Sequence, residues 1–240
     1  MSTLDLFLIS LSFISSFITV VFGIGGGTIM LLAMVAILPP AQIIMIHGLV
    51  QLSSNFFRAV MFRKTVVWSK VNVFMLASFL GVGIGTLLTV ELPVVAIKLS
   101  IAVFILFTLF VKIPAMTTKG WLVGGVVSSI LTMFVGATGT LVAALVNVFE
   151  QRKDYLIGTL AAMMVVQHGL KVIGLLLVAH VVEIDWLVVL CICTAGILGT
   201  LTGKKVGQRM ADDTYKKGLK IALGLSALWI IVDILMGFTT

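Results

Sequence analysis

Residues 6–38 read LFLISLSFISSFITVVFGIGGGTIMLLAMVAIL, an apolar run that a glycine-rich segment interrupts at 23–27. A helix needs about 20 apolar residues to cross the hydrocarbon layer of a bilayer. The piece after the glycines, 28–38, has about half that length and would reach only half way through a membrane. Glycine lets the backbone leave helical geometry, and such backbone is tolerated at membrane depth only where protein or a water-filled cavity covers it. The stretch therefore predicts a broken helix inside an all-α membrane protein.

A second interrupted region and several continuous apolar spans complete the chain. The second region runs from Trp121 to Phe149 and is broken at 136–140, which reads Gly-Ala-Thr-Gly-Thr. Its final piece, 140–149, is again about half a membrane thick. The continuous spans are predicted at 41–62, 71–90, 94–111, 155–181, 186–203 and 219–238.

The composition excludes a water-soluble globular enzyme. Of 240 residues, 60% are hydrophobic and 10% are charged, whereas soluble domains carry about 25% charged residues. Cys191 and Cys193 are two residues apart and point to opposite sides of a helix, so they share neither a disulfide nor a metal. The segment from Met1 to Asp5 lacks the basic region of a cleaved signal peptide.

The basic residues predict the topology and account for the net charge of +7. Of 16 Lys and Arg residues, Arg58, Lys98 and Lys171 lie well inside spans, and the other thirteen lie at the loops or, for Lys220, at the edge of a span. If each interrupted region returns to the side from which it enters, all basic loops share one side; if each crosses, they split between two sides. The positive-inside rule favours the first arrangement. We therefore expect an integral protein of the cytoplasmic (inner) membrane with a basic cytoplasmic face and both termini outside.

The two halves of the chain match one another. An offset of 113 residues pairs Gly23 with Gly136, Gly26 with Gly139 and Arg58 with Lys171. After a five-residue insertion, an offset of 118 pairs Trp68 with Trp186, Gly81 with Gly199, Gly85 with Gly203 and Lys98 with Lys216. Because each half has an odd number of crossings, the repeats are predicted to have inverted topology. They comprise an N-terminal repeat at 1–112, a cytoplasmic linker at 113–120 and a C-terminal repeat at 121–240.

Several features follow one another in the first half: the glycine run at 22–27, Pro39-Pro40, a polar-studded helix to Arg58, a basic loop ending in Val67-Trp68, and the glycine-spaced helix at 81–85. In this order they resemble the TauE/SafE sulfite exporters, anion permeases of the 4-toluene sulfonate uptake permease superfamily, over about residues 6–238. The resemblance implies transport of sulfite, sulfonates or related organic anions across the inner membrane. The second copy departs from the family pattern, with Arg152-Lys153 in place of the usual proline.

The glycine breaks are the first candidate substrate site. A helix that starts after such a break presents free N–H groups and the positive end of its dipole, which together bind an anion. We expect these helix starts at Thr28 and Thr140. The alternative is a patch of small residues that lets helices pack closely. The candidate residues here are Gly25, Gly26, Gly27, Thr28, Thr138, Gly139 and Thr140.

The second candidate site is a polar face on two matched spans. Helical spacing puts Gln51, Ser54, Asn55 and Arg58 on one side of a helix, and Met164, Gln167, His168 and Lys171 on the matched side. Arg58 has the alternative of snorkelling to the basic end, and His168 that of a packing residue; His47 is a weaker candidate. No Asp or Glu lies deep in any span, so a bound anion would supply the missing negative charge. The substrate-binding residues predicted here are Gln51, Asn55, Arg58, Gln167, His168 and Lys171.

These residues predict a secondary transporter of a small anion, namely sulfite, thiosulfate or an organosulfonate, that alternates access around a midplane site. The alternatives are a passive anion channel and a membrane-embedded subunit or enzyme. Neither a metal-ligand set nor a catalytic set stands out, so we expect no enzyme activity and no cofactor. The coupling ion stays open between H⁺ and Na⁺. The expected partners are the small anion and the lipid bilayer, without nucleic acid, and the glycine-spaced helices permit a homodimer.

Overall fold

A computed structural model describes residues 1–22, 25–35, 37–89, 118–134, 138–147, 152–178 and 184–207, together with single positions at 99, 103, 228, 231, 232 and 235. Over these ranges the chain is helical and contains no strand. A short 3₁₀ turn, Arg63–Thr65, joins the third and fourth helices. The helices are α1 Thr3–Phe22, α2 Gly26–Val35, α3 Pro40–Met61, α4 Trp68–Thr89, α5 Thr118–Phe134, α6 Gly139–Asn147, α7 Lys153–Val178 and α8 Trp186–Gly207.

Five of the described helices are long and apolar enough to cross a membrane: α1, α3, α4, α7 and α8. Four of them coincide with the continuous spans predicted from hydropathy near 41–62, 71–90, 155–181 and 186–203. The predicted spans at 94–111 and 219–238 lie outside the described residues, apart from single helical positions. An all-helical polytopic membrane protein is therefore confirmed.

Helix α1 packs in parallel against α8 through glycine. A Cβ added to Gly199 would meet the carbonyl oxygen of Phe13, and one added to Gly203 would lie 2.8 Å from the carbonyl oxygen of Phe17. Both contacts require glycine because the neighbouring atoms belong to the backbone and cannot move aside. Residue numbers rise together along the two helices, so α1 and α8 run in the same direction.

Helix α4 packs in the same way against α5. A Cβ on Gly81 would meet the carbonyl oxygen of Val126, and one on Gly85 would lie 3.1 Å from that of Ile130. Each of these contacts has its equivalent between α1 and α8. The glycines are related by the offset of 118, and the carbonyl-bearing residues by the offset of 113.

Helices α3 and α7 pack against each other in antiparallel fashion. A Cβ on Gly48 would lie 3.2 Å from the side chain of Val172. Farther along α3, the Leu52 side chain approaches Gly169. Beyond the end of α3, the carbonyl oxygen of Phe62 would lie 2.9 Å from a Cβ on Gly158.

The described basic loops lie at one end of the molecule. In the turn after α3, Thr65 Oγ1 donates to the Asp154 carbonyl at the start of α7, at 2.9 Å. The Nζ atom of Lys204, near the end of α8, lies 5.3 Å from the ring centroid of Phe62. We call this the basic end. Since α1 runs parallel to α8, helices α1, α3 and α8 run towards the basic end, whereas α4, α5 and α7 run away from it.

The helices form two bundles, and each bundle contains helices from both halves of the sequence. The first bundle contains α1, α2, α3 and α8, and the second contains α4, α5, α6 and α7. One hydrophobic cluster includes Met30 and Ile192 of the first bundle together with Leu141 of α6, and another lies in the second bundle around Phe74 and Met163. A smaller apolar cluster from α3, α4, α5 and α7 lies between them. Thus α8 from the second half packs onto α1, and α4 from the first half packs onto α5.

The first glycine break reverses the chain. Gly25 has a φ of 103°, in the left-handed region that favours glycine. The next residue, Gly26, packs directly against the Ser15 carbonyl and the Thr19 hydroxyl of α1. Helix α2 therefore begins beside the middle of α1. The predicted break residues Gly23 and Gly136 lie outside the described residues.

Candidate functional site

The described polar side chains gather into two buried clusters and a histidine pair between the long helices α3 and α7. We name the clusters after their cations. The Arg58 cluster belongs to the first bundle and contains Ser16, Ser54, Arg58 and Thr200. The Lys171 cluster belongs to the second bundle and contains Ser128, Ser129, Thr132, Thr138, Gln167 and Lys171.

Arg58 is buried with few hydrogen bonds. Its side chain is 2% exposed, and its Nη2 atom donates to Ser54 Oγ at 3.3 Å. Ser54 Oγ in turn lies 3.3 Å from Ser16 Oγ and 3.4 Å from Thr200 Oγ1. Within the described part of the chain, Arg58 Nε has no hydrogen-bond partner. A guanidinium carries five donors, so this one has capacity left for an acceptor.

Lys171 is equally buried but is anchored to the backbone. Its side chain is 1% exposed, and its Nζ atom donates to the Thr132 carbonyl of α5 at 2.9 Å. The aliphatic part of the side chain packs against α3 where Gly48 leaves room: a Cβ there would lie 3.7 Å from Lys171 Cε. Lys171 thus links α7 to α5 at the level of the first part of α3.

Gln167 is fully hydrogen-bonded and ties the second break to α7. Its Nε2 atom donates to Ser129 Oγ at 2.9 Å and to Ser128 Oγ at 3.3 Å. Its Oε1 atom accepts from Thr138 Oγ1 at 2.7 Å. Thr138 stands at the position that Gly25 occupies in the first half, so a side-chain hydrogen bond holds the second break where a glycine turn shapes the first.

The histidine pair joins α3 to α7. The rings of His47 and His168 lie with their centroids 6.1 Å apart at an interplanar angle of 70°. His47 Nε2 lies 2.9 Å from the Gly27 carbonyl oxygen at the start of α2. Neither Nδ1 atom has a hydrogen-bond partner among the residues that the structure describes.

The start of α2 differs from the prediction. We expected a free N–H at Thr28, but α2 begins at Gly26, and the Thr28 N–H donates to the Gly25 carbonyl at 3.1 Å. The N–H groups without an intrahelical acceptor are therefore those of Gly26 and Gly27. Likewise α6 begins at Gly139, one residue before the predicted Thr140. Thr140 lies in α6, and its side chain is not among those that the structure describes.

The polar face of α3 meets the first break. A Cβ on Gly27 would lie 2.9 Å from Gln51 Oε1, so the Gln51 amide packs on the glycine. Asn55 Nδ2 donates to the Gln51 carbonyl at 2.7 Å. Asn55 Oδ1 is buried without a partner in the described ranges. Across the molecule, a Cβ on Gly139 would have only Met164 Sδ nearby, at 3.6 Å.

The two cations occupy different depths. Lys171 packs beside Gly48, and Arg58 lies ten residues farther along α3, a rise of about 15 Å in a helix. They therefore serve separate clusters rather than a single pair. The described carboxylates Asp5, Asp154 and Asp185 all stand at helix starts, so none lies beside either cation. The described residues also hold no group of three or more His, Cys, Asp or Glu that fits a metal ion.

Sequence reasoning missed the hydroxyl groups of α1 and α5. Ser12, Ser15, Ser16 and Thr19 form a buried face of α1, and Ser128, Ser129 and Thr132 do so on α5. A signal was present: the pattern Ser-Ser-x-x-Thr at 15–19 recurs at 128–132, at the same offset of 113 that relates the glycine breaks. Helical spacing of these positions indicates a common face.

The described helices and their apolar spans are those of a polytopic membrane protein. The family comparison agrees. The chain belongs to the sulfite exporter TauE/SafE family, whose family model matches residues 8–230. The resemblance found in the sequence is thereby confirmed. No curated protein and no solved structure gives a significant match to the chain.

Proposed function

We propose that the protein is a secondary transporter of a small anion, namely sulfite, thiosulfate or an organosulfonate. The anion binds between the two bundles, near the glycine breaks and the polar faces of α3 and α7. The observation that carries this proposal is the burial of Arg58 and Lys171 without a described carboxylate beside either one.

Charge balance gives the physical reason. Burying an ionised group without a partner is costly, and charged residues inside membrane proteins face cavities or pathways. An anion offsets that cost. The unpaired Arg58 Nε and the neighbouring Nη2 form a planar fork that suits two oxygens of a sulfur oxyanion.

Inverted repeats are part of the proposal. The glycine contacts between α1 and α8 recur between α5 and α4 at the repeat offsets. Equivalent helices run in opposite directions relative to the basic end: α1 against α5, α3 against α7 and α4 against α8. Both features support a pseudo-twofold axis in the membrane plane. With the basic end at the cytoplasmic face, the interrupted regions return to the side from which they enter, and the N-terminus lies outside.

Alternating access then involves the two bundles rather than the two halves of the sequence. The swapped pairs α1–α8 and α4–α5 are joined by backbone contacts at glycine, which leave no room for independent movement. The bundles meet along α3 and α7 and at the smaller apolar cluster. A rotation at this junction would expose the central site to one side and then to the other.

Ligand-induced thermal stabilisation of the purified protein tests anion binding. The panel contains sulfite, thiosulfate, sulfoacetate, taurine, sulfate and simple carboxylates, each with and without sodium. Stabilisation grows as RT ln(1 + [L]/Kd), so weak binders are detected at millimolar ligand. We expect a selective shift for a sulfur oxyanion that Lys171→Met reduces and Lys64→Met, an exposed lysine of the basic end, leaves unchanged. An equal shift in wild type and Lys171→Met would remove Lys171 from the site.

Counterflow separates a carrier from a channel. Proteoliposomes loaded with unlabelled anion are diluted into a trace of the same labelled anion. A carrier accumulates the label transiently because it exchanges one bound anion for another, whereas a channel only equilibrates it. Accumulation of label by wild type supports alternating access, and its absence in the presence of rapid flux would identify a channel.

A further inference from the structure

The histidine pair has proton-accepting ring nitrogens that anion binding alone does not require. A carbonyl oxygen can only accept a hydrogen bond, so His47 Nε2 carries the ring N–H and donates a hydrogen bond to the Gly27 carbonyl. The neutral ring then has its lone pair on Nδ1. That lone pair is fully buried and has no hydrogen-bond donor within the described ranges. His47 therefore holds an open proton-accepting atom beside the first glycine break.

The second histidine extends this feature across the junction between the bundles. His168 of α7 makes an edge contact with His47, and its own Nδ1 atom also has no partner in the part of the chain described. Lys171 lies one turn farther along α7 and packs beside Gly48, the residue that follows His47. Two imidazoles and one ammonium group thus converge from two helices that belong to different bundles.

We propose that the His47–His168 pair carries a proton that is transported together with the anion and in the same direction. This inference rests on the proposed function and names its coupling ion. The proton binds at a ring Nδ1 atom while the site is open to one side, and it leaves from the same atom when the site is open to the other. No covalent bond to carbon or sulfur changes.

Charge compensation couples the two ligands. A proton on the pair adds a further positive charge next to Lys171, which is unfavourable in an empty buried site and favourable when an anion is present. Linkage requires the reverse as well: the bound proton strengthens anion binding by the same factor. The carrier then switches between its two open states either with both ligands bound or with the site empty.

The surroundings favour a proton over sodium. Sodium prefers oxygen ligands and nearby negative charge, and no described carboxylate faces the pair. Helices α2 and α6 carry no titratable side chain, and Lys70 of α4 stands at the basic end. Arg58 lies farther along α3 towards the basic end, and Cys193 of α8 lies 3.9 Å from the Leu49 carbonyl. Among the described residues, the charged group nearest to the pair is accordingly Lys171, a cation.

The test measures proton and anion movement together in proteoliposomes. Radiolabelled thiosulfate is the probe because it carries no proton of its own near neutral pH, and a trapped pH-sensitive dye reports proton entry. Wild type is expected to move about one proton with each thiosulfate and to accumulate thiosulfate when the outside is acidified, with or without sodium.

Two variants separate coupling from folding. His47→Gln retains an amide N–H for the Gly27 carbonyl but removes the basic ring nitrogen, and His168→Asn removes the second ring. We expect both to lose at least 90% of the proton-driven accumulation. His47→Gln should keep thiosulfate counterflow, which shows a folded carrier, whereas the folding of His168→Asn is checked by its melting temperature, because His168 is also a candidate anion ligand. His180→Gln, which changes the remaining histidine of the chain, is the matched control and should behave as wild type.

Three outcomes would count against the idea in distinguishable ways. Thiosulfate flux in wild type without proton movement would overturn the coupling and leave the anion carrier standing. Proton coupling that persists in the His47→Gln/His168→Asn double variant would overturn the assignment to this pair. Absence of any anion flux in wild type, for thiosulfate and for the rest of the panel, would overturn the proposed function itself.

Discussion

The Arg58 cluster and the Lys171 cluster occupy equivalent places in the two bundles but are held together differently. In the Lys171 cluster, Gln167 is fully hydrogen-bonded, and Lys171 Nζ has a backbone carbonyl at 2.9 Å. In the Arg58 cluster the equivalent position to Gln167 is Ser54, and the contacts are longer, 3.3 to 3.4 Å. Arg58 also keeps an unpaired Nε among the described contacts.

This difference suggests a structural role for one cluster and a ligand-binding role for the other, whereas the sequence alone predicts the same role for both. The helices and the glycine contacts of one bundle have equivalents in the other, so these shared contacts stabilise the fold. The satisfied cluster gives a rigid wall on the Lys171 side. The under-satisfied cluster leaves donors for a ligand on the Arg58 side. Under the proposed function, equivalent helices thus hold two clusters with different roles.

The largest loss of stability is expected when the equivalent glycine contacts of the two bundles are disrupted. Gly199→Ala and Gly81→Ala each place a Cβ against a backbone carbonyl, of Phe13 and Val126 respectively. Overpacking of this kind costs about 3 kcal/mol, and the equivalence of the two contacts predicts similar losses. Gly83→Ala is the matched control, because nothing lies within 4 Å of its Cβ position. Unfolding of the detergent-solubilised protein measures all three; a large loss for only one of the first two would break the equivalence.

The next largest effect is the loss of anion affinity when either cation is removed. We expect Arg58→Met to weaken binding of the preferred anion about 100-fold, or about 2.7 kcal/mol, since it removes a guanidinium whose Nε donor has no partner among the described residues. Lys171→Met should weaken it about tenfold, or about 1.4 kcal/mol, because one of its donors already serves the Thr132 carbonyl. Titration calorimetry gives both dissociation constants. A stronger effect of Lys171→Met would reverse the roles assigned to the two clusters.

The hydrogen-bond difference predicts a smaller effect on stability. Gln167→Met removes three hydrogen bonds, those with Thr138, Ser128 and Ser129, and should cost about 2 kcal/mol. Ser54→Ala, the equivalent change in the other cluster, should cost about 1 kcal/mol because its contacts are longer. Denaturant unfolding compares the two. Equal losses would mean that the clusters are equally well satisfied.

The smallest effect is expected at the second of the two breaks. Gly25→Ala puts a side chain on a residue with a φ of 103° and is expected to cost about 1 to 2 kcal/mol. Gly139→Ala, at the second break, meets only Met164 Sδ at 3.6 Å and should leave the melting temperature unchanged. Thermal unfolding distinguishes them. A shift for Gly139→Ala as large as that for Gly25→Ala would show that both breaks depend on glycine.

Much of the fold was predictable because hydropathy and charge act locally. The span predicted at 41–62 is α3, Pro40–Met61, and that at 186–203 lies within α8. The repeat offsets also identified the glycines that make close contacts. The partners of these glycines were not predictable, since nothing along the chain indicates that α8 packs onto α1 rather than onto its own neighbours.

The site was predicted less completely. Buried Gln167, His168 and Lys171 lie together on α7 as their spacing indicated. The serine faces of α1 and α5 went unnoticed because a few hydroxyl groups hardly change the hydropathy of an apolar helix. The helix start at Thr28 was wrong by two residues, since Gly26 already adopts helical geometry. The roles of these residues in substrate binding stay predictions.

The swapped packing of α1 and α8 has a consequence for how the protein is made. Helix α1 is synthesised before α8, yet Ser12 Oγ donates to the Ile192 carbonyl, 180 residues later in the chain. Meanwhile Ser15 and Thr19 bond to carbonyls of α1 itself, at 3.2 and 2.8 Å. Internal bonds of this kind satisfy part of the hydroxyl groups of a helix in lipid before its partner helix is present. Helix α1 can therefore insert with two of its buried hydroxyl groups already bonded, and its docking through Ser12 is completed only after α8 has been synthesised.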